Sequence, residues 1–447
     1  MKLTVYPSGK GDCLLLESGG KLMLIDGGIG DSFITSVLPK IANVKKLDCV
    51  YLSHIDDDHI GGLIELVNAT FDWRVFEYRK TKDPKAKKPK SPRPPEIGKV
   101  WHNSFSDVLK ENATPVAAAI QQTSAMLTSA NSSDPHVVDV KTYHANLAES
   151  IRQSLNLRFR LSPDQLDIPV NPEYGGDLMH IRKKANPPQL KLGTARLTLL
   201  GPFAEDLEKQ RNEWNAWLKA NKAIVSKVRQ DAKGDAGDLT NKTEALAPIR
   251  AAANALAESM VIPQLQISAL DPKKAALLGD RGAVTTPNLA SLMFLVSENG
   301  KAILLTGDGH ADDLLKGLEH AGALDEDGNL HVDVLKVQHH GSEHNMTQDF
   351  ARRITADHYV FCGNGFSNNP ELVVIEALAH ARFGSDEERS TNPKADGKFK
   401  FWFNSTKTSA QYREHMKAVE DLVKKLVPES DGRLEYSFNS QEFEVPF

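Results

Sequence analysis

Residues Ser53 to Gly62 read Ser-His-Ile-Asp-Asp-Asp-His-Ile-Gly-Gly and follow directly on the largely apolar run Leu47 to Leu52. A short buried strand that ends in such a loop draws His54, Asp56, Asp58 and His59 toward one point. Alternate side chains leave one face, and the turn swings the last two back. Two imidazoles with up to three carboxylates at one strand tip have the composition of a metal site. The Gly61-Gly62 pair removes side-chain bulk where a helix must begin beside the ions. A solvated acidic turn opening a helix would also use Asp at its N-cap, but it has no need of histidine at both ends.

The chain has 447 residues, enough for one large elaborated domain or two ordinary ones. Its 54 Lys and Arg against 59 Asp and Glu leave a net charge of −5, so any contact with a polyanion must be local. Cys13, Cys49 and Cys362 are far apart, and two of them sit in apolar strand-like runs. They read as reduced buried thiols rather than bridges or a zinc knuckle, which fits a reducing cytosol. The N-terminal Met1 to Tyr6 enters a strand-like run without a leader pattern. No stretch approaches the roughly 20 apolar residues that span a bilayer. The expectation is a cytoplasmic protein with no membrane partner.

Strand signals at Leu3 to Tyr6, Cys13 to Glu17, Lys21 to Ile25 and Leu47 to Leu52 alternate with glycine turns, and a helix is expected from about Ser32 to Ile41. Residues 80–99, rich in Lys and Pro, cannot bury a core and read as an exposed, disordered basic loop. Pro115 to Ala130 and Ala145 to Leu155 look helical. So do Phe203 to Ile224 and Asn241 to Met260, and residues 203–262 are taken as a helical insertion. Strands return at Leu197 to Leu200, Ser291 to Val296, Ala302 to Leu305 and Val332 to Val337, with Asn299-Gly300 turning the middle pair. Helices at about Asp312 to Ala321, Glu371 to Ala381 and Ser409 to Leu426 complete the alternation, the last within a helical and strand extension at 385–447. The simplest architecture is an α/β fold in which two sheets pack face to face with helices outside, as one domain over 1–447.

Two later strand tips carry matching chemistry. Ala302 to Thr306 runs into Gly307-Asp308-Gly309, and Val332 to Val337 runs into Gln338-His339-His340-Gly341-Ser342. Each alone is weak, since strands often end in Gly-Asp turns. Ligand types at three separate strand tips are what a binuclear site requires.

These motifs resemble the metallo-β-lactamase superfamily, and within it the soluble relatives of the hydrolase domain of the DNA-uptake protein ComEC. Gly9-Lys10-Gly11-Asp12-Cys13 looks like that branch's opening motif, and Leu24-Ile25-Asp26-Gly27-Gly28 matches its Ile-Asp-Gly-Gly. His54-x-Asp56-x-Asp58-His59 is similar to the superfamily's His-x-His-x-Asp-His, with the Asp variant of the ComEC-like branch. Leu305-Thr306-Gly307-Asp308 resembles the bridging-aspartate motif, and Leu335-Lys336-Val337-Gln338-His339-His340-Gly341-Ser342 resembles the branch's Leu-Lys-Val-x-His-His-Gly-Ser.

The resemblance implies an αββα sandwich, elaborated by the basic loop and the helical insertion, and two divalent ions. His54 and Asp56 would serve the first position, which accepts manganese or magnesium more readily than an all-histidine zinc site would. Asn288 stands where the superfamily carries a further histidine ligand. Asp58, His59, Asp308 and His340 would hold zinc or manganese in the second. Between His339 and His340 the choice is nearly even, with His340 favoured for its place before Gly-Ser. Asp58 is assigned a catalytic role, binding metal and taking a proton from the attacking water, with His340 beside it. Asp26, His102, Asn288, His310, Ser342 and His344 are further candidates for substrate or weak metal contact. The late loop Gly363 to Pro370 places Asn369 where the branch usually has histidine.

The resemblance also implies a phosphodiesterase acting on DNA or RNA, and a place in a bacterial anti-phage system with an ATPase as regulatory partner. Residues 80–99 would clamp phosphates locally, or equally be a solvated linker. The alternatives are a hydrolase of small esters, lactams or nucleotides, and a binding protein that has lost activity.

Overall fold

The computed structural model of the chain describes residues 1–128, 135–181, 189–217, 219, 278–281, 284, 286–409 and 411–447. Most of the expected insertion at 203–262 lies outside them; its described beginning, 204–217, is helical.

The strands in chain order are β1 (Lys2–Val5), β2 (Leu14–Ser18), β3 (Lys21–Ile25), β4 (Lys46–Leu47), β5 (Cys49–Tyr51), β6 (Glu96–Ile97), β7 (Val100–Trp101) and β8 (Gln189–Leu192). They continue with β9 (Ala195–Gly201), β10 (Met293–Glu298), β11 (Lys301–Leu305), β12 (Leu330–Lys336), β13 (Ile354–Phe361), β14 (Phe399–Phe403), β15 (Leu434–Phe438) and β16 (Phe443–Val445). One sheet has the order β16-β1-β2-β3-β5-β7 and the other β15-β14-β13-β12-β11-β10-β9-β8. The longer helices are α1 (Asp57–Lys80), α2 (Ala113–Thr128), α3 (Pro135–Leu161), α4 (Ala311–His320), α5 (Leu372–Phe383) and α6 (Arg413–Glu429).

Period-2 patterning sorts the side chains into layers. On β3, Met23 and Ile25 face the core between the sheets while Leu24 faces the outer helices; on β5, Cys49 and Tyr51 face inward and Val50 outward. β11 repeats this, with Ile303 and Leu305 inside and Leu304 outside. The opposing sheet adds Leu197, Leu199, Phe294 and Val334 to the same inner core. α4, α5 and α6 cover one outer face through Leu314, Leu318, Val374, Leu378, Val419 and Val423. α1 and the end of α3 cover the other through Ile60, Leu63, Leu66 and Leu157. Each such buried side chain contributes about 1.5–3 kcal/mol over its exposed state. The result is the αββα sandwich.

Two local devices shape it. Asn299 and Gly300 both adopt positive φ, 52° and 79°, as a two-residue hairpin demands, and join β10 to β11 with Glu298 opposite Lys301. At the start of α1, a Cβ on Gly62 would lie 2.1 Å from the Gly27 carbonyl oxygen, so only glycine lets the helix approach the β3 turn.

Residues 385–447 are not an appendage: β14 and β15 extend the larger sheet in parallel, and β16 pairs with β1 on the smaller one. The β3/β5/β7 and β11/β12/β13 pairs are parallel. Parallel strands end on the same edge of a sheet, so the tips of β3, β5, β11 and β12 share one rim of the sandwich.

Candidate metal centre

At that rim, Asp308 follows β11 with its Oδ2 inside a ring of imidazoles. His59 Nε2 stands 3.3 Å away, and His54, His339 and His340 Nε2 each stand 3.6 Å away. Asp56 Oδ2 lies 3.7 Å from His54 Nε2 and Asp58 Oδ2 lies 3.4 Å from His340 Nε2. These separations exceed the usual hydrogen-bond range. They fit atoms sharing a cation, since two ligands about 2.1 Å from one ion at a tetrahedral angle stand about 3.4 Å apart.

Every one of these rings is held from behind. His59 Nδ1 meets Asp26 Oδ2 at 2.9 Å, and His54 Nδ1 meets Ser53 Oγ at 3.0 Å. His340 Nδ1 meets Asp12 Oδ1 at 3.1 Å, and His339 Nδ1 meets Asn345 Oδ1 at 2.6 Å. An acceptor at each Nδ1 places the proton there and turns the Nε2 lone pair inward, as metal ligation requires. Correspondingly, His54 Nε2, His59 Nε2, His340 Nε2 and Asp308 Oδ1 are buried without a hydrogen-bond partner. Orphaned buried polar atoms are rare, and here they converge.

The supports are themselves supported. Ser53 donates its backbone N–H to Asp26 Oδ1 at 2.7 Å and its hydroxyl to Asp26 Oδ2 at 2.8 Å. Asn345 donates to the Asp308 carbonyl at 2.8 Å. Buried Lys336 pairs with Asp12 Oδ2, donates to the Gly307 carbonyl at 3.2 Å, and stands 3.8 Å from Asp308 Oδ1. Asp26, His339 and His340 hold left-handed backbones, φ 53°, 44° and 58°. For non-glycine residues this costs about 1–3 kcal/mol each and persists only where surroundings enforce it.

Ligand-type atoms of Asp12, His59, Asp308 and His340 all lie within 4.8 Å of one another. Within that set Asp12 reaches His340 through Nδ1, on the side away from Asp308, so it is the orienting carboxylate and Asp58 faces the Nε2 side.

The fields are strong in the absence of a cation. Burial, then His59, lowers His54 to about 3. Burial, with Asp58 and Asp308 beside it, raises Asp56 to about 7. Burial opposes charge on His340, but Asp308 and Asp12 outweigh it and raise its pKa to about 9. Burial likewise opposes ionisation of Asp58 and Asp308, yet His340 at the first and His59 at the second hold both low. A cation bound there would displace protons from His59 and His340, whose carboxylate neighbours raise both.

The remaining candidates are placed elsewhere. His310 is buried and caps α4, its Nδ1 accepting from the Asp312 N–H at 3.1 Å, so it belongs to the helix and not to the site. His102 is buried with neither ring nitrogen hydrogen-bonded, and lines no described cavity around Asp308; the charge it feels is that of Arg158 on α3. Asn288 is buried with its Oδ1 unpartnered, and Ser342 and His344 line no wall of the cavity at Asp308. That cavity, about 210 Å³, is walled by Lys10, Asp56, Asp57, Asp58, Asp308 and His339 on the sheet side and by Tyr143, Asn146, Leu147 and Ser150 of α3.

The basic segment is also displaced from its expected place. α1 starts at Asp57 and runs 24 residues, about 36 Å. Lys88 and Arg93 fold back over Trp73, with Nζ 5.1 Å and the guanidinium 5.9 Å from the ring centroid, about 24 Å along the helix from Asp57. Lys88 and Arg93 therefore do not reach the metal centre itself.

Asp12, Lys336 and Ser53 were not among the sequence candidates. A lysine inside the apolar run Val332 to Val337 was the one local signal; the others need the tertiary contact to acquire meaning.

Residues 7–144 match the family model of the metallo-beta-lactamase superfamily. This segment is a metallo-beta-lactamase superfamily domain. It contains Asp12, Asp26 and the His54 to His59 cluster, while Asp308, His339 and His340 reach the same centre from outside the matched residues. The superfamily is chiefly one of metal-dependent hydrolases, and the centre described here is a candidate metal site within that fold. No curated protein matches the chain. No described helix is long and apolar enough to cross a membrane.

Proposed function

We propose that the chain is a binuclear metal-dependent phosphodiesterase of the ComEC-like branch, acting on DNA or RNA. The observation that carries this reading is the ring of Nε2 atoms around Asp308 Oδ2 together with its charge balance. Asp12, Asp26, Asp56, Asp58 and Asp308 set five carboxylates against the buried ammonium of Lys336, while Lys10 and Asp57 at the cavity wall offset each other. With the imidazoles neutral, four net negative charges remain, which two divalent cations neutralise. His54, Asp56 and His339 would hold one, Asp58, His59 and His340 the other, with Asp308 between them. Bound there, manganese or zinc would supply Lewis-acid polarisation of the scissile phosphoryl and acidify a water toward neutrality.

The protein's own part is orientation and proton handling. Asp58 stands at the cavity wall, where its carboxylate faces the space for an attacking water and can accept its proton. Asp12, Asp26, Ser53 and Asn345 keep each imidazole aimed while charge shifts during the reaction. A polymer rather than a small diester would also reach the basic residues near Trp73, since about seven base pairs span the roughly 24 Å to them.

A smaller ester is the second reading. The cleft continuing from the cavity carries Asp31, Asp57 and Glu65 beside Lys10 and a Glu149–Arg152 pair, a lining with more carboxylates than cations that disfavours a polyanion on that side. Incubation with manganese of a plasmid, a single strand and a chromogenic diester decides between them. Cleavage of at least one polymer, lost in Asp58→Ala, is expected; turnover of the small diester alone would replace the first reading by the second.

A further inference from the structure

The loop between β1 and β2 brings one cation to the centre. Gly9 holds φ +76°, and a Cβ on Gly11 would lie 1.7 Å from the Asp58 carbonyl oxygen, so the loop lies flat against the Asp58 backbone. Ser8, which packs at its base, bonds Gly11 through its hydroxyl and accepts from Asn404 at 3.1 Å. Between two glycines so constrained, Lys10 alone projects a long side chain, and it lines both the cavity at Asp308 and the adjoining cleft. Its Nζ lies 4.8 Å over the Phe366 ring and faces Asp57 Oδ2 at 4.0 Å, too far for a hydrogen bond.

Among the described residues lining the Asp308 cavity, Lys10 is the one lysine or arginine. The opposite wall offers the neutral polar groups of Tyr143, Asn146 and Ser150, and the Tyr143 hydroxyl stays protonated because burial and then Asp56 push it up to about 12. A substrate atom carrying negative charge therefore meets, beyond the metal ligands, a single ammonium steadied by an aromatic face.

We propose that Lys10 is the phosphoryl-recognition residue of this site, its ammonium donating to a non-bridging oxygen of a singly charged phosphodiester while Phe366 holds its position. The proposal rests on the phosphodiesterase reading above. It selects anionic phosphate esters over neutral carboxylic esters, which present no charge for Lys10 to meet. A hydrogen bond to a charged group of this kind corresponds to a change of about 10- to 100-fold.

The test uses the full chain loaded with manganese. In Lys10→Met, kcat/KM for bis(p-nitrophenyl) phosphate is expected to fall about 10- to 100-fold more than kcat/KM for neutral p-nitrophenyl acetate, with most of the difference recovered in Lys10→Arg. Metal content, measured alongside, separates this from loss of the centre. Calorimetric titration with inorganic phosphate gives a readout without turnover: the Met variant is expected to bind it more weakly than wild type by a similar factor. Equal losses on both esters, or unchanged phosphate affinity in Lys10→Met, would overturn the role. Wild-type protein that binds phosphate through Lys10 yet cleaves no diester would count against the phosphodiesterase reading alone.

Discussion

At the scale of single residues, the centre depends on groups that never touch a cation. Lys336 is as buried as any leucine, and it sits there because Asp12 must be ionised to orient His340. Removing one partner of a buried pair strands the other charge, whereas removing both does not. Lys336→Met is therefore expected to lower unfolding free energy by about 3–5 kcal/mol in guanidinium titrations. Lys336→Met with Asp12→Asn should regain most of that loss while binding metal less tightly, because His340 then lacks its carboxylate. The ligand types at His54 to His59 were legible in the sequence, being close neighbours on one loop. The pairing of Asp12 with His340 was not, because those two residues lie 328 positions apart and only packed sheets bring them together.

Among elements, the turn carrying His339 and His340 is braced by the start of α5. Glu371 donates its backbone N–H to the Gly341 carbonyl at 2.9 Å, and its side chain meets Glu343. Burial, then the neighbouring Glu343, raises Glu371 from 4.5 to about 8. The folded state thus keeps a proton that the unfolded chain releases near 4.5, so this contribution to stability is full below 4.5 and is lost as pH rises through 8. Thermal melts of wild type and Glu371→Gln are expected to agree below about pH 4.5, to separate progressively between pH 4.5 and 8, and to differ by a constant amount above pH 8, the Gln variant melting higher. An equal difference at all pH values would refute the shared proton. α1 shows the limit of local reading. Its start was marked by Gly61-Gly62, but its 24-residue length carries the basic segment away from the centre, a distance that charge pattern alone does not contain.

For the whole molecule, the parallel strands of two sheets open on one rim, and the centre is assembled across them. Asp308 comes from one sheet and His54 to His59 from the other, so a change at Asp308 affects both halves. Metal analysis of wild-type protein is expected to give about two equivalents of divalent ion per chain, and Asp308→Asn fewer than one. Two equivalents retained in the variant would rule out the proposed place of Asp308 between two ions.

Residue types, their periodicity and three strand tips ending in His, Asp or both were enough to imply sheets, helices and a cation-binding rim, because those signals are local and repeat over a few residues. Tertiary structure alone decided that both His339 and His340 turn toward Asp308, that His310 closes a helix instead, that Lys336 balances the carboxylates, and that the C-terminal strands complete both sheets. Each of those outcomes depends on which distant backbone lies within a few ångströms, and no stretch of sequence carries that information by itself.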